Sequence, residues 1–160
     1  MIKIGIITAS DKGSQGLRED ISSEVIREKV KDIGSVVQYK MVPDDREQLA
    51  QTMRDFEALG VVLLFTTGGT GFSKRDVTPE ATLDVVERLT PGIPEAMRAA
   101  SMQFTPKAML SRAVAGILGN MIIVNLPGSP KACAECLDVI LPALPHGVDI
   151  LQGDAAECAR

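Results

Sequence analysis

Thr66-Thr67-Gly68-Gly69-Thr70-Gly71 is the stretch of this chain richest in residues that can do chemistry, and it directly follows the apolar run Val61-Val62-Leu63-Leu64-Phe65. Glycines placed there let backbone N–H groups turn toward an anion with no Cβ in the way. Phosphate or nucleotide binding is the chemistry this suits; a tight strand-to-loop turn is the plainer alternative. A Walker-type loop is excluded, because no Gly-Lys-Ser/Thr ends the segment and opens a helix. The continuation Phe72-Ser73-Lys74-Arg75-Asp76-Val77-Thr78-Pro79 sets cations, a carboxylate and hydroxyls ahead of a proline-started helix. A carboxylate beside phosphates makes physical sense when it holds Mg²⁺ or a basic partner. Asp76 is therefore a candidate metal ligand, or else a cap for that helix. Asp44, in Val42-Pro43-Asp44-Asp45, ends a second expected strand on the same edge, where ordinary turn chemistry would also explain it. Acting together, Asp44 and Asp76 would position a metal that bridges phosphate oxygens.

Two further loops offer polar groups. Pro127-Gly128-Ser129 lies between an apolar strand and the last long helical stripe, and Ser111-Arg112 enters a hairpin. Arg75 and Arg112, with Lys74 and Lys131, are candidates for holding phosphates. The hydroxyls of Ser10, Thr70, Ser111 and Ser129 are candidates for the same task. The single histidine, His146, lies far along the last helical stripe and reads as a surface residue rather than a catalyst. Cys133-Ala134-Glu135-Cys136 has the spacing of a thiol redox motif or half a zinc site. No second Cys/His pair is present to complete tetrahedral zinc, and both thiols fall on an apolar stripe, so they read as core packing.

The elements that must position these loops follow from hydrophobic spacing. Residues 2–8 and 36–42 predict strands, and the unalternating run 61–65 predicts a central parallel strand covered on both faces. Ile21, Val25, Ile26, Val30 and Ile33, between Asp20 and Gly34, predict a first crossover helix. Leu49, Met53 and Phe56 predict a second, closing near Gly60. Residues 79–88 and 94–102 predict helices, each opened by a proline. Residues 111–124 predict a hairpin turning at Leu118-Gly119-Asn120. A final stripe from Cys133 to Val148 is kinked or divided by Pro142 and Pro145. The alternation implies an α/β fold: a three-layer αβα sandwich around a mainly parallel sheet with a small antiparallel hairpin element. Such sheets bind ligands at the carboxyl ends of their strands.

With 160 residues, the chain is expected to form one domain over 1–152, with 153–160 a frayed tail. No apolar run reaches the roughly 20 residues that span a bilayer, and no basic region precedes a long apolar stretch at the N-terminus, which points away from membranes and export. Cys133, Cys136 and Cys158 make an odd number that suits reduced thiols, so a cytoplasmic location is expected. A net charge of −4 and 3% aromatic residues argue against nucleic acid, whose binding needs clustered cations or stacking platforms.

The string from Thr66 through Thr82 resembles the signature of the molybdopterin-binding domain found in MogA, MoaB and the G domains of plant and animal molybdenum-cofactor proteins. Asn125-Leu126-Pro127-Gly128-Ser129-Pro130-Lys131-Ala132 resembles that family's second glycine-containing loop, and Met109-Leu110-Ser111-Arg112 the segment entering its hairpin. Order and separation agree from residue 4 to about residue 151. The resemblance implies a molybdopterin adenylyltransferase of MogA/MoaB-like fold. In that reaction the phosphate of molybdopterin attacks the α-phosphorus of ATP accompanied by Mg²⁺, giving adenylyl-molybdopterin and pyrophosphate. It implies catalytic and metal-holding roles for Asp44 and Asp76. It implies substrate or nucleotide binding by Ser10, Gly68, Gly69, Thr70, Gly71, Arg75, Ser111, Arg112, Pro127, Gly128 and Ser129. A phosphate nucleophile is largely ionised at neutral pH, so positioning and charge neutralisation suffice without a strong base. The same resemblance implies a homotrimer and a downstream molybdate-insertion protein as partner. Two other activities stay open at this point. One is a non-catalytic pterin carrier; the other is a small-nucleotide hydrolase like the competence-inducible proteins of related fold, whose glycine loop lacks the Arg-Asp-Val-Thr-Pro run.

Overall fold

Strands β1 (Ile2–Ala9), β2 (Gly34–Val42), β3 (Leu63–Thr67), β4 (Arg88–Leu89), β5 (Ala115–Leu118) and β6 (Met121–Leu126) form one sheet in the order β2-β1-β3-β6-β5-β4. The coordinates are a computed structural model that describes residues 1–154. β2, β1, β3 and β6 run parallel, while β5 turns back antiparallel on β6 and β4 pairs antiparallel with β5. Every residue of β3 is buried, as its unalternating apolar sequence demands of a strand covered on both faces.

Among the described residues seven α-helices flank the sheet: α1 (Asp11–Ser14), α2 (Ile21–Val30), α3 (Arg46–Ala58), α4 (Thr78–Leu83) and α5 (Gly92–Ser101) between strands, and α6 (Pro130–Ile140) and α7 (Leu144–Gln152) after the last one. Side chains alternate across a strand, so Ile6, Phe65 and Val124 join Ile26 of α2, Leu137 of α6 and Leu144 of α7 on one face. Their chain neighbours Ile7, Leu64 and Ile123 join Leu49, Met53 and Phe56 of α3 on the other. Two apolar cores on opposite faces of one sheet make the expected three-layer sandwich. Carboxylate and hydroxyl caps fix where helices start: Asp20 accepts from the Ser23 N–H at 3.1 Å, and Asp45 from Gln48 at 2.8 Å.

Several boundaries differ from the sequence reading. The central strand covers 63–67 rather than 61–65, because the two threonines after its apolar residues find partners inside the protein. Asn125 Nδ2 donates to Thr66 Oγ1 at 3.0 Å, and Thr67 Oγ1 donates to the Pro127 carbonyl at 2.7 Å. The helix expected over 79–88 stops at Leu83, and Arg88 and Leu89 become the edge strand β4. Glu87 N–H and Thr90 N–H bond the carbonyls of Ile117 and Ala115, and Gly116 permits the approach, since a Cβ there would sit 2.8 Å from the Arg88 carbonyl oxygen. The polar run after β1 holds α1, a 3₁₀ helix spans Pro106–Leu110, and the hairpin is confined to β5 and β6. The final stripe is divided, α6 ending at Ile140 and α7 starting at Leu144. Of the expected tail, Gly153 caps α7 in the left-handed region, and residues 155–160, with Cys158, lie outside the described residues. Among the described residues no helix is long and apolar enough to cross a membrane.

β1 connects through α2 to β2 on one side of it, whereas β3 lies on its other side and leads away toward β6. The loops leaving the carboxyl ends of β1 and β3 therefore part, and a crevice opens between them, the position at which open α/β sheets bind ligands.

Candidate active site

A cleft of about 440 Å³ occupies that crevice, walled by Thr8–Ser10 at the end of β1 and Thr67, Gly68 and Gly69 at the end of β3. Gly68 and Gly69 have φ of +90° and +69°, a region that only glycine adopts freely. Side chains are excluded there on contact grounds as well. A Cβ on Gly68 would lie 2.5 Å from the Ala9 carbonyl oxygen, and one on Gly69 would collide with Thr78 Oγ1. That hydroxyl donates to the Gly68 carbonyl at 2.9 Å and so fixes the loop's turn. The second glycine loop packs beside the first: a Cβ on Gly128 would be 3.4 Å from Gly68 Cα. Thr67 Oγ1 and Cys133 Sγ both donate to the Pro127 carbonyl, at 2.7 and 2.8 Å, and Ser22 Oγ donates to that of Gly128 at 2.7 Å.

Asp44 and Asp76 line this cleft. Burial pushes the Asp44 carboxyl above the ordinary aspartate value, and the charges of Asp11 and Asp76 push it the same way, against the Asp11 backbone N–H and Arg75. Asp11 and Asp44 are joined reciprocally. Asp11 N–H donates to Asp44 Oδ2 and Asp44 N–H donates to Asp11 Oδ1, both at 3.0 Å. Arg75 closes on Asp11 with two bonds, Nε to Oδ2 at 2.9 Å and Nη2 to Oδ1 at 3.0 Å, and holds the Asp11 carboxyl below its usual value. Three loops, after β1, β2 and β3, thus meet at Asp11. Asp20 also lines the cleft. Burial pushes its carboxyl up, but bonds from Thr8 and Tyr39 at 2.7 and 2.6 Å and from Ser23 outweigh that and leave it lowered.

A second cleft of about 290 Å³ lies across the glycine loop, lined by Thr70, Gly71, Ser111 and Pro127 together with Arg98 and Lys107. The residues singled out from sequence therefore fall into three groups. Ser10, Asp44, Gly68, Gly69, Asp76 and Gly128 line the first cleft; Thr70, Gly71, Ser111 and Pro127 line the second. Arg75, Arg112, Ser129, Lys74 and Lys131 line neither: Arg75 is paired with Asp11, and Ser129 caps α6 by accepting from Ala132 N–H at 3.4 Å. The Ser10 hydroxyl caps α1, accepting from Gly13 N–H at 2.9 Å. His146 is exposed on α7, whose Pro145 and Val148 border a hollow with Met1 and Lys3 at the opposite end of β1.

The sequence profile of the family described as "Probable molybdopterin binding domain" matches residues 5–146. The chain belongs to that family. It is 40% identical over 157 residues to a molybdopterin adenylyltransferase of Helicobacter pylori (strain J99 / ATCC 700824), across 96% of this chain and 89% of that protein. It is 33% identical over 174 residues to the molybdopterin adenylyltransferase of Escherichia coli (strain K12), across 99% of this chain and 89% of that protein. Among solved structures, the molybdopterin biosynthesis enzyme MoaB from Thermus thermophilus has a TM-score of 0.90 and 42% identity, covering 98% of this chain and 100% of that one.

Within this molybdopterin-binding domain the oxygen donors suit a hard divalent cation such as Mg²⁺. Among the described residues no three His, Cys, Asp or Glu side chains gather as a metal cage. Mg²⁺ needs none, because it is commonly held by one or two carboxylates with phosphates and water completing the octahedron. Asp44 and Asp76 in one cleft meet that requirement. Sequence reasoning misses Asp11 and the cleft-facing position of Asp20. The available signal for Asp11 is its place directly after a strand that ends at the ligand-binding edge.

Proposed function

We propose that the chain is a molybdopterin adenylyltransferase, joining the phosphate of molybdopterin to the AMP portion of ATP with release of pyrophosphate. The observation that carries this is the convergence of two glycine loops and two carboxylates on one cleft, with a second, more apolar cleft across the same loop. Two substrates between which an adenylyl group passes need adjoining sites, and here one loop borders both. Gly68, Gly69 and Gly128 keep the glycine loops free of side chains, so backbone groups can approach phosphates closely. Asp44 and Asp76 would hold Mg²⁺, which when bound neutralises phosphate charge. No general base is required of the protein, because the attacking phosphate is already ionised. The work left to these residues is alignment of acceptor oxygen and α-phosphorus. We place the enzyme in the cytoplasm as a homotrimer that passes its product to a molybdate-inserting protein, and assign residues 1–152 to the binding domain.

The test is pyrophosphate release from Mg-ATP by the purified protein, with and without freshly prepared molybdopterin and without oxygen. Pterin-dependent release with an adenylylated product is expected, and Asp76→Asn should abolish most of it. Binding without release would identify a pterin carrier, and ATP breakdown without pterin a nucleotide hydrolase.

A further inference from the structure

Arg112 sits behind the glycine loop rather than in either cleft, and its three guanidinium nitrogens all have partners in the protein. Nε donates to the Gly71 carbonyl at 2.7 Å, Nη2 to the Asp76 carbonyl at 2.8 Å, and Nη1 is paired with Glu80 Oε1 on α4. Its backbone N–H adds a bond to the Thr70 carbonyl at 2.9 Å. The segment carrying Arg112 is itself held from α5, where Arg98 Nη1 donates to the carbonyls of Ser111 at 3.3 Å and Ala113 at 2.8 Å. A chain of two arginines thus runs from α5 through Ser111–Ala113 to residues 70–80. That span contains Thr70 and Gly71, which face the second cleft, and Asp76, which faces the first.

We infer that Arg112, anchored by Glu80, is a positioning residue that sets the loop bordering both clefts, and with it the alignment of the reacting groups where the two substrates meet. A planar fork presenting donors along three edges can bridge two carbonyls and a carboxylate at once; an ammonium cannot do so from one point. Glycine-rich backbone at 68–71 has little intrinsic stiffness, so its shape depends on such external bonds. Arg112 therefore acts on both substrates equally, without touching either.

Turnover as a readout rests on the proposed adenylyl transfer, so amide hydrogen exchange of the ligand-free protein is measured beside it. In Arg112→Lys, exchange at the hydrogen-bonded amides of Asp76 and Thr78 should quicken by about tenfold or more, the loss expected when a charge-assisted hydrogen bond is removed. With ATP and molybdopterin, kcat should fall by on the order of 10²-fold, as for a misplacement of about 1 Å, with the KM values for both substrates moving far less. Glu80→Gln, at a residue that lines neither cleft, should quicken exchange at the same amides, and the double variant should add little to Arg112→Lys. Wild-type exchange in both variants would overturn the inference, as would a raised KM for one substrate alone with kcat retained, which would make Arg112 a ligand of that substrate. Should the native protein release no pyrophosphate, the proposed function fails while the exchange result still decides the role of the brace. If Arg112→Lys does not fold, the Glu80→Gln comparison carries the same decision.

Discussion

Asp44 is paired with a residue 33 positions away. Burial is the largest influence raising its carboxyl, and the neighbouring Asp11 charge adds to it. If transfer needs Asp44 ionised, kcat/KM should fall on the acid side at a pH above the ordinary aspartate range. Asp11→Asn removes the neighbouring negative charge while keeping the backbone N–H that donates to Asp44, so that acid limb should move to lower pH while the plateau drops with the lost Arg75 clamp. A limb that stays fixed or rises would exclude Asp44 as the titrating group. Asp44 and Asp76 are legible in the sequence because each comes after a strand end. Asp11 gives the same strand-end signal, but its bonds to Asp44 and Arg75 reach across 33 and 64 positions that no local pattern reports. Cys133 shows the same limit. Its apolar stripe identifies it as buried, yet nothing in the spacing reveals its bond to the Pro127 carbonyl. Burial raises that thiol from 9.0 to about 11. Between those values the unfolded chain releases a proton that the folded one keeps, so stability should decline with rising pH over that window. Thermal melts from pH 8 to 11 should show a shallower decline in Cys133→Ser, which retains a donor for Pro127 but no titrating thiol. Equal slopes would show that Cys133 does not contribute.

Between residue and fold, the element that decides function is the loop from Gly68 to α4. Its composition is readable from sequence, since only glycine tolerates the φ of +69° found at Gly69. Gly69→Ala should cost about 1–2 kcal/mol from the left-handed backbone alone. A further loss should come as Thr78 is displaced from its bond to Gly68. Urea denaturation should register that loss, and pyrophosphate release should fall more than tenfold with it; full activity at native stability would mean the turn is not needed. The segment beyond the loop is less legible. The stretch 79–88 carries a helical pattern, but the backbone at Glu87 and Thr90 is drawn to the free edge of β5, and α4 ends after six residues. Edge pairing is a tertiary choice, and the small size of Gly116 one strand away is what allows it.

At the scale of the whole molecule, the three layers are legible because each strand's apolar residues must be covered on the faces they point to, and helical stripes of matching length lie between the strands. Assembly is not legible in that way, since it depends on what the finished surface leaves uncovered. Between α5 and β5 the chain exposes Phe104 at 67%, Met109 at 60% and Leu110 at 46%, with Met102 at 40%, all within nine consecutive residues. Single exposed apolar side chains are ordinary, but a contiguous group of long ones is the kind of surface that association covers. The trimer we propose would use this segment, which lies beside the second cleft through Thr105, Lys107 and Ala108. Light scattering after gel filtration should then give three times the 17.1 kDa chain mass. Phe104→Glu combined with Met109→Glu should shift that mass to one chain, because a buried, unpaired carboxylate at a close-packed interface is strongly unfavourable. A pair of substitutions that leaves the native protein's mass unchanged would place the subunit contacts elsewhere, and a single-chain mass for the unaltered protein would remove the trimer altogether.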